Sequence, residues 1–298
     1  MRRPFLDTSE FFDIDAGDEI HVGNRVFRVT GYEHERRFGS EDPKFWVKRV
    51  IETSTNERKI IKLAFFEKFE TILGGIRILC FRDPDKESRA LELTRGNPFF
   101  MQGVTLRDSK NNNLRVLDIV RGTNLHVYLD NLLMDHQTYF YTLFPGILSR
   151  LITSFEALKL LHDQGIRHGD VRNDHLIIQG ETGNYVWIDF DYDFVTPENP
   201  FSLDLFGLGN ILLYTAGKGF LELNMILQDE ERYGNLKHRL SADDFSVMYK
   251  SRFMNLKKFF PYIPEILNNT LLHFTRGAEL TYEHIDEIID DLHQVTIH

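Results

Sequence analysis

The sequence predicts an α+β fold with two lobes, a β-rich N-lobe over residues 1–120 and a mainly helical C-lobe over residues 121–298. Apolar and polar residues alternate along several short stretches before residue 120, whereas apolar residues after Leu125 recur at the spacing of a helix. The charges also divide unevenly. Residues 1–120 hold 21 Lys+Arg and 20 Asp+Glu, so the totals of 35 and 45 leave 14 and 25 for residues 121–298. Two lobes with different surfaces are consistent with both changes.

The overall composition is that of a globular protein with a substantial core, since 42% of its 298 residues are hydrophobic and 25 are Phe. A net charge of -10 argues against nucleic-acid binding, which needs a basic face. The single cysteine, Cys80, excludes an internal disulfide and a thiolate metal cluster. Apolar runs are too short for a membrane span, and Asp7 interrupts any early signal-like segment. We therefore expect a cytoplasmic protein without a membrane span.

Alternating segments separated by turn residues predict the strands of the N-lobe, and these strands cover residues 22–30, 45–52, 58–64 and 114–120. A polar stretch over residues 31–44 connects the first two strands. Asp83 and Pro84 open a helix that ends near Gly96, because both residue types are favoured where helices begin.

In the C-lobe, helical spacing predicts one long helix and three later ones. Six apolar residues fall on one face of the long helix, and Gly165 follows as its C-terminal signal. These residues are Leu148, Leu151, Ile152, Phe155, Leu158 and Leu161. The later helices cover 204–216, 264–276 and 281–294, and two short apolar strands cover 176–178 and 185–188.

Residues that can perform chemistry concentrate between positions 168 and 191. Asp170 lies in a loop after the long helix, where a carboxylate can accept a proton from an incoming hydroxyl. Asp189 directly follows a buried strand, where a carboxylate can hold Mg2+ against phosphate oxygens. Further upstream, Lys62 lies in an apolar strand, and a buried ammonium needs an anionic partner, either a carboxylate or a phosphate.

At these residues the sequence resembles the protein-kinase-like superfamily over roughly residues 25–292. Single pieces of the resemblance are weak, but six pieces in the right order are strong. The pieces are the strand Ile60–Lys62, the helix Glu87–Leu91, the segment Leu117–Leu125, the triplet His168-Gly169-Asp170, the triplet Asp189-Phe190-Asp191 and the helix start Asp204–Gly209. The resemblance implies a two-lobed protein-kinase-like fold.

The resemblance also implies roles for individual residues. Lys62 would bind ATP phosphates and pair with Glu87, and Lys59 is the alternative lysine. Asp170 would be the base, with Arg172 neutralising the transferred phosphate, and Asp189 would hold the metal. Backbone groups near Asp118 and Val120 would pair with adenine, and a phosphate loop would run from Gly31 to Gly39. Asp204 would brace the loop that carries Asp170.

Several positions depart from the protein-kinase pattern. Gly169 stands where many protein kinases have an arginine, and only 15 positions separate Asp189 from Asp204, so the segment that docks peptides is short. The triplet around Asp170 and the residues around Asp189 also resemble aminoglycoside and choline phosphotransferases. His175 replaces the asparagine that binds a second metal. An imidazole suits Mn2+ better than Mg2+, and Asn173, Asp174 or Asp191 could supply an oxygen instead.

Three functions follow from this pattern. The one favoured is an ATP-dependent kinase that transfers the γ-phosphate to a hydroxyl, with protein Ser/Thr as the acceptor and Mg2+ or Mn2+ as the metal. A small-molecule kinase with the same core is supported by the short segment after Asp189. A nucleotide-binding pseudokinase with a regulatory role is suggested by His175 and the unusual phosphate loop. Retention of Lys62, Glu87, Asp170 and Asp189 together argues against the pseudokinase.

Overall fold

The computed structural model describes residues 3–37, 40–73, 75–196, 199–234 and 236–297. Its strands, in chain order, are β1 (Pro4–Phe5), β2 (Glu19–Val22), β3 (Arg25–Arg37), β4 (Ser40–Glu52), β5 (Arg58–Lys62), β6 (Lys68–Leu73), β7 (Ile76–Arg82), β8 (Gly103–Arg107), β9 (Asn113–Asp118), β10 (Gly122–Asn124), β11 (Leu176–Gln179), β12 (Tyr185–Trp187) and β13 (Tyr192–Val195). Its α-helices are α1 (Pro84–Leu93), α2 (Leu125–Asp130), α3 (His136–Thr142), α4 (Phe144–His162), α5 (Ser202–Ala216), α6 (Leu223–Gln228), α7 (Glu230–Tyr233), α8 (Glu265–Leu272) and α9 (Ile285–His293).

The chain divides into two compact units. The N-terminal unit comprises Met1–Lys68 and Phe81–Arg121, and the C-terminal unit comprises Phe69–Cys80 and Gly122–His298. The segment 69–80 therefore leaves the N-terminal unit and packs within the C-terminal one. The change of unit after Arg121 coincides with the change from strand to helix periodicity in the sequence.

The N-terminal unit is built on one large sheet with the strand order β1-β2-β3-β4-β5-β9-β8. Strand β1 is parallel to β2, and the pairings from β2 through to β8 are antiparallel. Alternate residues of these strands face a common apolar core, which is consistent with the period of two seen in the sequence. This core contains Ile20, Phe27, Val29, Val50, Ile61, Leu114 and Val116.

Two strand predictions in this unit need correction. Residues 22–30 do not form one strand, because the chain turns after Val22 and β3 begins at Arg25. Gly23 takes a left-handed φ of 58°, which costs little without a Cβ. The described residues of the polar stretch, 31–37 and 40–44, are strand and not loop, since β3 continues to Arg37 and β4 starts at Ser40. Backbone pairing satisfies the peptide groups whatever the polarity of the side chains, so the hairpin extends. The predicted loop end, Gly39, lies outside the described residues.

Helix α1 begins where its sequence signals predicted. The Asp83 side chain accepts hydrogen bonds from the backbone N–H groups of Asp85 and Lys86, and Pro84 occupies the first turn. This arrangement satisfies donors that a helix start leaves without intrahelical partners. The cap fixes the first turn and so sets which face of α1 carries Glu87 toward the sheet.

The C-terminal unit is mainly helical. The predicted helices at 148–161, 204–216, 264–276 and 281–294 correspond to α4, α5, α8 and α9, with ends that differ by a few residues. Trp187 of β12 is buried and donates from its indole N–H to the carbonyl of Ser154 on α4 at 2.8 Å. Among the described residues, no helix is long and apolar enough to cross a membrane.

A small sheet in this unit was not predicted from the sequence. Strands β6 and β7 form a hairpin, and β7 also pairs with β13, in the order β13-β7-β6. Strand β13 is the short segment that follows Asp189. The sheet thus joins the hairpin at 68–82 to the connection between Asp189 and α5.

Candidate functional site

Lys62 and Glu87 form a buried ion pair in the N-terminal unit. Lys62 ends strand β5, Glu87 lies in α1, and the Lys62 Nζ donates to Glu87 Oε1 at 2.7 Å. Glu87 is fully buried and Lys62 is 6% exposed. A buried carboxylate is stable only when its charge is compensated at close range, so the structure pairs the two residues that the sequence analysis linked.

Sequence reasoning missed a second partner of Glu87. Arg115 on β9 lies opposite Lys62 in the strand register, and its Nε donates to Glu87 Oε2 at 3.0 Å. Its guanidinium also donates to the carbonyl of Leu63 at 3.4 Å. No local signal in the sequence identifies this contact, because Arg115 is one residue of the strand predicted at 114–120. Lys62, Glu87 and Arg115 are called the N-terminal ion cluster below.

The other predicted nucleotide-binding residues of this unit lie elsewhere on the sheet. Gly31 sits on β3 at an irregularity in its pairing with β4, where the register shifts between Val29 and Gly31. Asp118 ends β9 and accepts a hydrogen bond from Lys59 Nζ at 2.8 Å. Val120 follows in the connection that ends the unit and is half-buried. Lys59, the alternative lysine, is therefore held by Asp118 at the end of the strand pair.

In the C-terminal unit, Asp204 braces the loop that carries Asp170. Its carboxylate accepts from the backbone N–H groups of His168 at 2.6 Å and Gly169 at 2.9 Å, and from His162 at 3.0 Å. Burial alone would raise the pKa of Asp204, but these hydrogen bonds hold it below its ordinary value. The brace implied by the family resemblance is present.

Close helix packing supports the same loop. A Cβ added at Gly207 of α5 would lie 2.5 Å from the Val171 Cβ and 2.6 Å from the Val171 carbonyl oxygen. Only a glycine allows α5 to approach the loop this closely. The loop is thus held by hydrogen bonds at Asp204 and by contact at Gly207, one helical turn apart.

Asp170 and Asp189 lie on opposite sides of the His175 ring. The His175 Nδ1 is 3.4 Å from Asp170 Oδ2, and the Nε2 is 3.6 Å from Asp189 Oδ2. The Nδ1 also lies 2.9 Å from the carbonyl oxygen of Asp170, to which a protonated Nδ1 donates. In a neutral ring this bond leaves the lone pair on Nε2, which accepts from Arg172 Nη2 at 3.3 Å. The structure therefore brings together three of the residues selected from the sequence.

Arg172 joins the same cluster through Asp174. Its guanidinium donates to both carboxylate oxygens of Asp174, at 3.1 and 2.7 Å, and lies 3.7 Å from the Asp170 carboxylate. Burial opposes the charge of Arg172, but Asp170 and Asp174 outweigh it and raise its pKa. Asp170, Arg172, Asp174, His175 and Asp189 are called the C-terminal ion cluster below.

The electrostatics distinguish the two carboxylates that flank Arg172. Burial raises the pKa of Asp170 above its ordinary value, although His175 and Arg172 act in the opposite direction. For Asp174, burial also raises the pKa, but His175, Arg172 and the bidentate hydrogen bond together bring it below the ordinary value. Asp170 is therefore the more basic carboxylate, as a proton acceptor needs to be.

Asp189 has a strained backbone. Its φ of 71° lies in the left-handed region, which Asp adopts more readily than most residues but still uncommonly. The next residue, Phe190, is fully buried and meets the His168 ring edge-on at a centroid distance of 4.9 Å. Strain that the surroundings maintain is common at functional sites, which marks Asp189 out among the carboxylates of this unit.

No protein-family model and no curated protein sequence matches the chain. Among solved structures, it is similar to the kinase PK-1 of Cydia pomonella granulovirus, with a TM-score of 0.53 and 14% sequence identity. The match covers 89% of this chain and 93% of the viral kinase. The chain has a protein-kinase-like fold. The two-lobed α+β prediction is confirmed, and a likeness at this identity concerns the fold alone.

The Asp189 carboxylate is a ligand type that Mg2+ accepts when the ion is shared with phosphate. Among the described residues, no three His, Cys, Asp or Glu side chains form a group that could hold a metal ion. The Asp189 carboxylate and the His175 Nε2 are the two candidate metal ligands, and the Nε2 is engaged by Arg172 Nη2 at 3.3 Å. Mg2+ in nucleotide sites takes one or two carboxylates and completes its shell with phosphate and water. The single carboxylate of Asp189 suits that arrangement.

Proposed function

We propose that this protein is an ATP-dependent phosphotransferase that moves the γ-phosphate of ATP to a hydroxyl group. The favoured acceptor is a protein serine or threonine. The observation that carries the proposal is that Asp170 and Asp189 face one imidazole, within 3.4 and 3.6 Å of its nitrogens, in a protein-kinase-like fold. One carboxylate is suited to take a proton and the other to hold a cation.

The C-terminal ion cluster would perform the transfer. The acceptor oxygen forms a bond to the γ-phosphorus, the bond from that phosphorus to the bridging oxygen of ADP breaks, and the hydroxyl proton passes to Asp170. Its raised pKa favours this last step. Arg172 would neutralise charge on the transferred group, since its own raised pKa keeps it cationic. A Mg2+ or Mn2+ ion held by Asp189 and His175 would supply further positive charge for the phosphates.

The N-terminal ion cluster would hold the nucleotide phosphates through Lys62. The pairing with Glu87 fixes the position of the ammonium, so little entropy is lost when an anion binds to it. Gly31 on β3 and the backbone near Asp118 and Val120 would contribute the remaining nucleotide contacts. In this proposal the backbone at these three positions contacts the nucleotide, so their side chains are not needed for binding.

Turnover of radiolabelled ATP tests the proposal directly. The purified chain is assayed with Mg2+ and with Mn2+ against generic protein acceptors, a panel of hydroxylated small molecules and itself. Asp170→Asn is the inactive control. Asp163→Asn is the matched control, because Asp163 is a half-exposed carboxylate that pairs with Lys159 at the end of α4. Label on protein Ser or Thr supports the favoured acceptor, and label only on small molecules supports the alternative kinase.

ATP binding without transfer to any acceptor would contradict the proposal and favour a pseudokinase. Transfer that survives Asp170→Asn unchanged would also contradict it, because the proton acceptor would then be elsewhere. Loss of transfer in Asp163→Asn as well would show that the assay reports general damage to the fold.

A further inference from the structure

An ion pair outside both clusters links the loop before Asp170 to the strand after Asp189. The Arg167 Nε lies 2.7 Å from Asp193 Oδ1, with Arg167 22% and Asp193 11% exposed at the side chain. Arg167 directly precedes His168, and Asp193 is the second residue of β13. The pair therefore joins two segments that are distant in sequence and that carry the proposed base and the proposed metal ligand.

Neighbouring contacts make this connection rigid. The Arg167 guanidinium lies over the Phe194 ring at 4.8 Å, and Phe194 is fully buried. The Asp193 Oδ1 also accepts from the backbone N–H of Phe194 at 2.8 Å. Stacking on the ring already orders the guanidinium, so its ion pair with the carboxylate costs little further conformational entropy. The pair thus has more ordering contacts than a typical surface salt bridge.

Both segments that the ion pair joins are also fixed by backbone hydrogen bonds. On the loop side, the backbone N–H groups of His168 and Gly169 are held by Asp204. On the strand side, β13 pairs with β7 of the hairpin. Between these anchors, Asp189 holds a φ of 71°. An unfavourable backbone conformation persists only where the surroundings determine it.

We propose that the Arg167–Asp193 pair positions Asp189 by holding the segment from Asp189 to β13 in one conformation. The proposal rests on the proposed function, in which Asp189 holds the metal. Neither Arg167 nor Asp193 contacts the reacting atoms in this scheme, so both are positioning residues.

Asp193→Asn tests the pair with little change of shape, because the amide oxygen can still accept from Phe194 while the charge is lost. We expect the amides of residues 192–195 to exchange with solvent about tenfold faster, as local opening becomes easier. We also expect kcat to fall about tenfold with the KM for ATP nearly unchanged, within the range that misplaced groups cost. Asp163→Asn serves as the control and should change neither quantity.

A double-mutant cycle separates the pair from general destabilisation. Arg167→Ala combined with Asp193→Asn should lower kcat no further than the more damaging single variant, and Arg167→Lys should retain part of the activity. Additive losses in the double variant, or unchanged exchange in Asp193→Asn, would overturn the proposal. If the wild type transfers no phosphate but exchange in residues 192–195 still responds to Asp193→Asn, the proposed function fails while the structural link stands.

Discussion

The two ion clusters contain similar residue types but differ in their exposure to water. In the N-terminal ion cluster, Glu87 is fully buried and is in contact with Lys62 and Arg115 on either side. In the C-terminal ion cluster, Asp170 is 21% exposed at the side chain, Asp189 is 16% exposed, and Arg172 and Asp174 are 45% exposed. The N-terminal ion cluster is nearly sealed from water, with 8% of the Lys62 side chain exposed, whereas the C-terminal ion cluster meets water.

The difference has an energetic consequence. Charges that are removed from water depend on each other, so a sealed cluster is sensitive to the loss of any partner. Charges that keep part of their hydration can lose a neighbour at lower cost and can accept a ligand instead. We therefore expect the free energy of unfolding to depend mainly on the first cluster and the rate of phosphoryl transfer mainly on the second.

The largest expected effect is on the stability of the sealed cluster. Glu87→Gln removes the charge that Lys62 and Arg115 share, and we expect the free energy of unfolding to fall by about 3–5 kcal/mol. Urea unfolding monitored by tryptophan fluorescence measures the change. Glu156→Gln is the control, because Glu156 is a half-exposed residue of α4 paired with His293. The control should stay within about 0.5 kcal/mol of the wild type.

A second variant refines this prediction. Lys62→Met should cost less stability than Glu87→Gln, because Glu87 keeps Arg115 at 3.0 Å. It should still weaken ATP binding. Equal stability losses for the two variants would show that Arg115 does not compensate the charge of Glu87. The description of the N-terminal ion cluster as three mutually dependent charges would then be wrong.

The next largest effect concerns chemistry. Asp170→Asn should lower phosphoryl transfer by roughly 100-fold or more, about 2.7 kcal/mol in barrier height, while ATP still binds. Its thermal stability at neutral pH should be unchanged or higher, because the raised pKa means that the folded state disfavours the carboxylate. Transfer assays, calorimetry of ATP binding and thermal unfolding check the three parts. A marked loss of stability would place Asp170 with the sealed cluster.

A third prediction separates acid effects on folding from acid effects on activity. His136 of α3 donates from Nε2 to the Ala216 carbonyl at 2.8 Å, accepts from the Tyr262 hydroxyl at 2.7 Å and stacks on Phe260 at 3.5 Å. Burial lowers its pKa from 6.5 to about 4. Between these values the unfolded chain binds more protons, so stability is complete above pH 6.5 and falls as the pH drops toward 4.

The loss at His136 should be about 2 kcal/mol, and it should be smaller in His136→Gln, which cannot titrate. Unfolding curves measured between pH 7 and pH 4 show the difference. If the two proteins lose stability in parallel, the acid sensitivity of the C-terminal unit comes from other groups. Any pH effect on transfer that is common to both proteins then belongs to the C-terminal ion cluster.

The smallest expected effect is on metal preference. If His175 binds the ion through Nε2, the wild type should turn over several-fold faster with Mn2+ than with Mg2+, because imidazole nitrogen favours the softer ion. His175→Asn should shift the preference toward Mg2+. The unchanged preference of that variant would place His175 outside the metal shell and leave Asp174 or Asp191 as the further oxygen donor.

Features that depend on neighbouring residues were predictable from the sequence. The start of α1 follows from Asp83 and Pro84, since a cap needs only the residues of one turn. The apolar face of α4 follows from helical spacing. The brace at Asp204 was found through motif order, and the structure gives its two backbone hydrogen bonds.

Features that depend on distant pairing were not predictable. Arg115 is read as a strand residue, and nothing local shows that α1 places Glu87 within 3.0 Å of it. The hairpin of β6 and β7 was also missed, because its pairing with β13 joins segments more than a hundred positions apart. Pairing at a sheet edge depends on which backbone N–H and C=O groups the rest of the fold leaves unpaired. The local sequence pattern does not show which groups these are.

By itself, the sequence determined the fold class, the start of α1, the positions of α4, α5, α8 and α9, and the residue types available for chemistry. Periodicity and capping act within a few residues, and each leaves a local signature. Only the tertiary structure decided which charges are sealed and which meet water, and that Arg167 reaches Asp193. Burial and ion pairing depend on segments that the chain brings together from far apart, so the same Asp or Arg can stabilise one unit and remain available for ligands in the other.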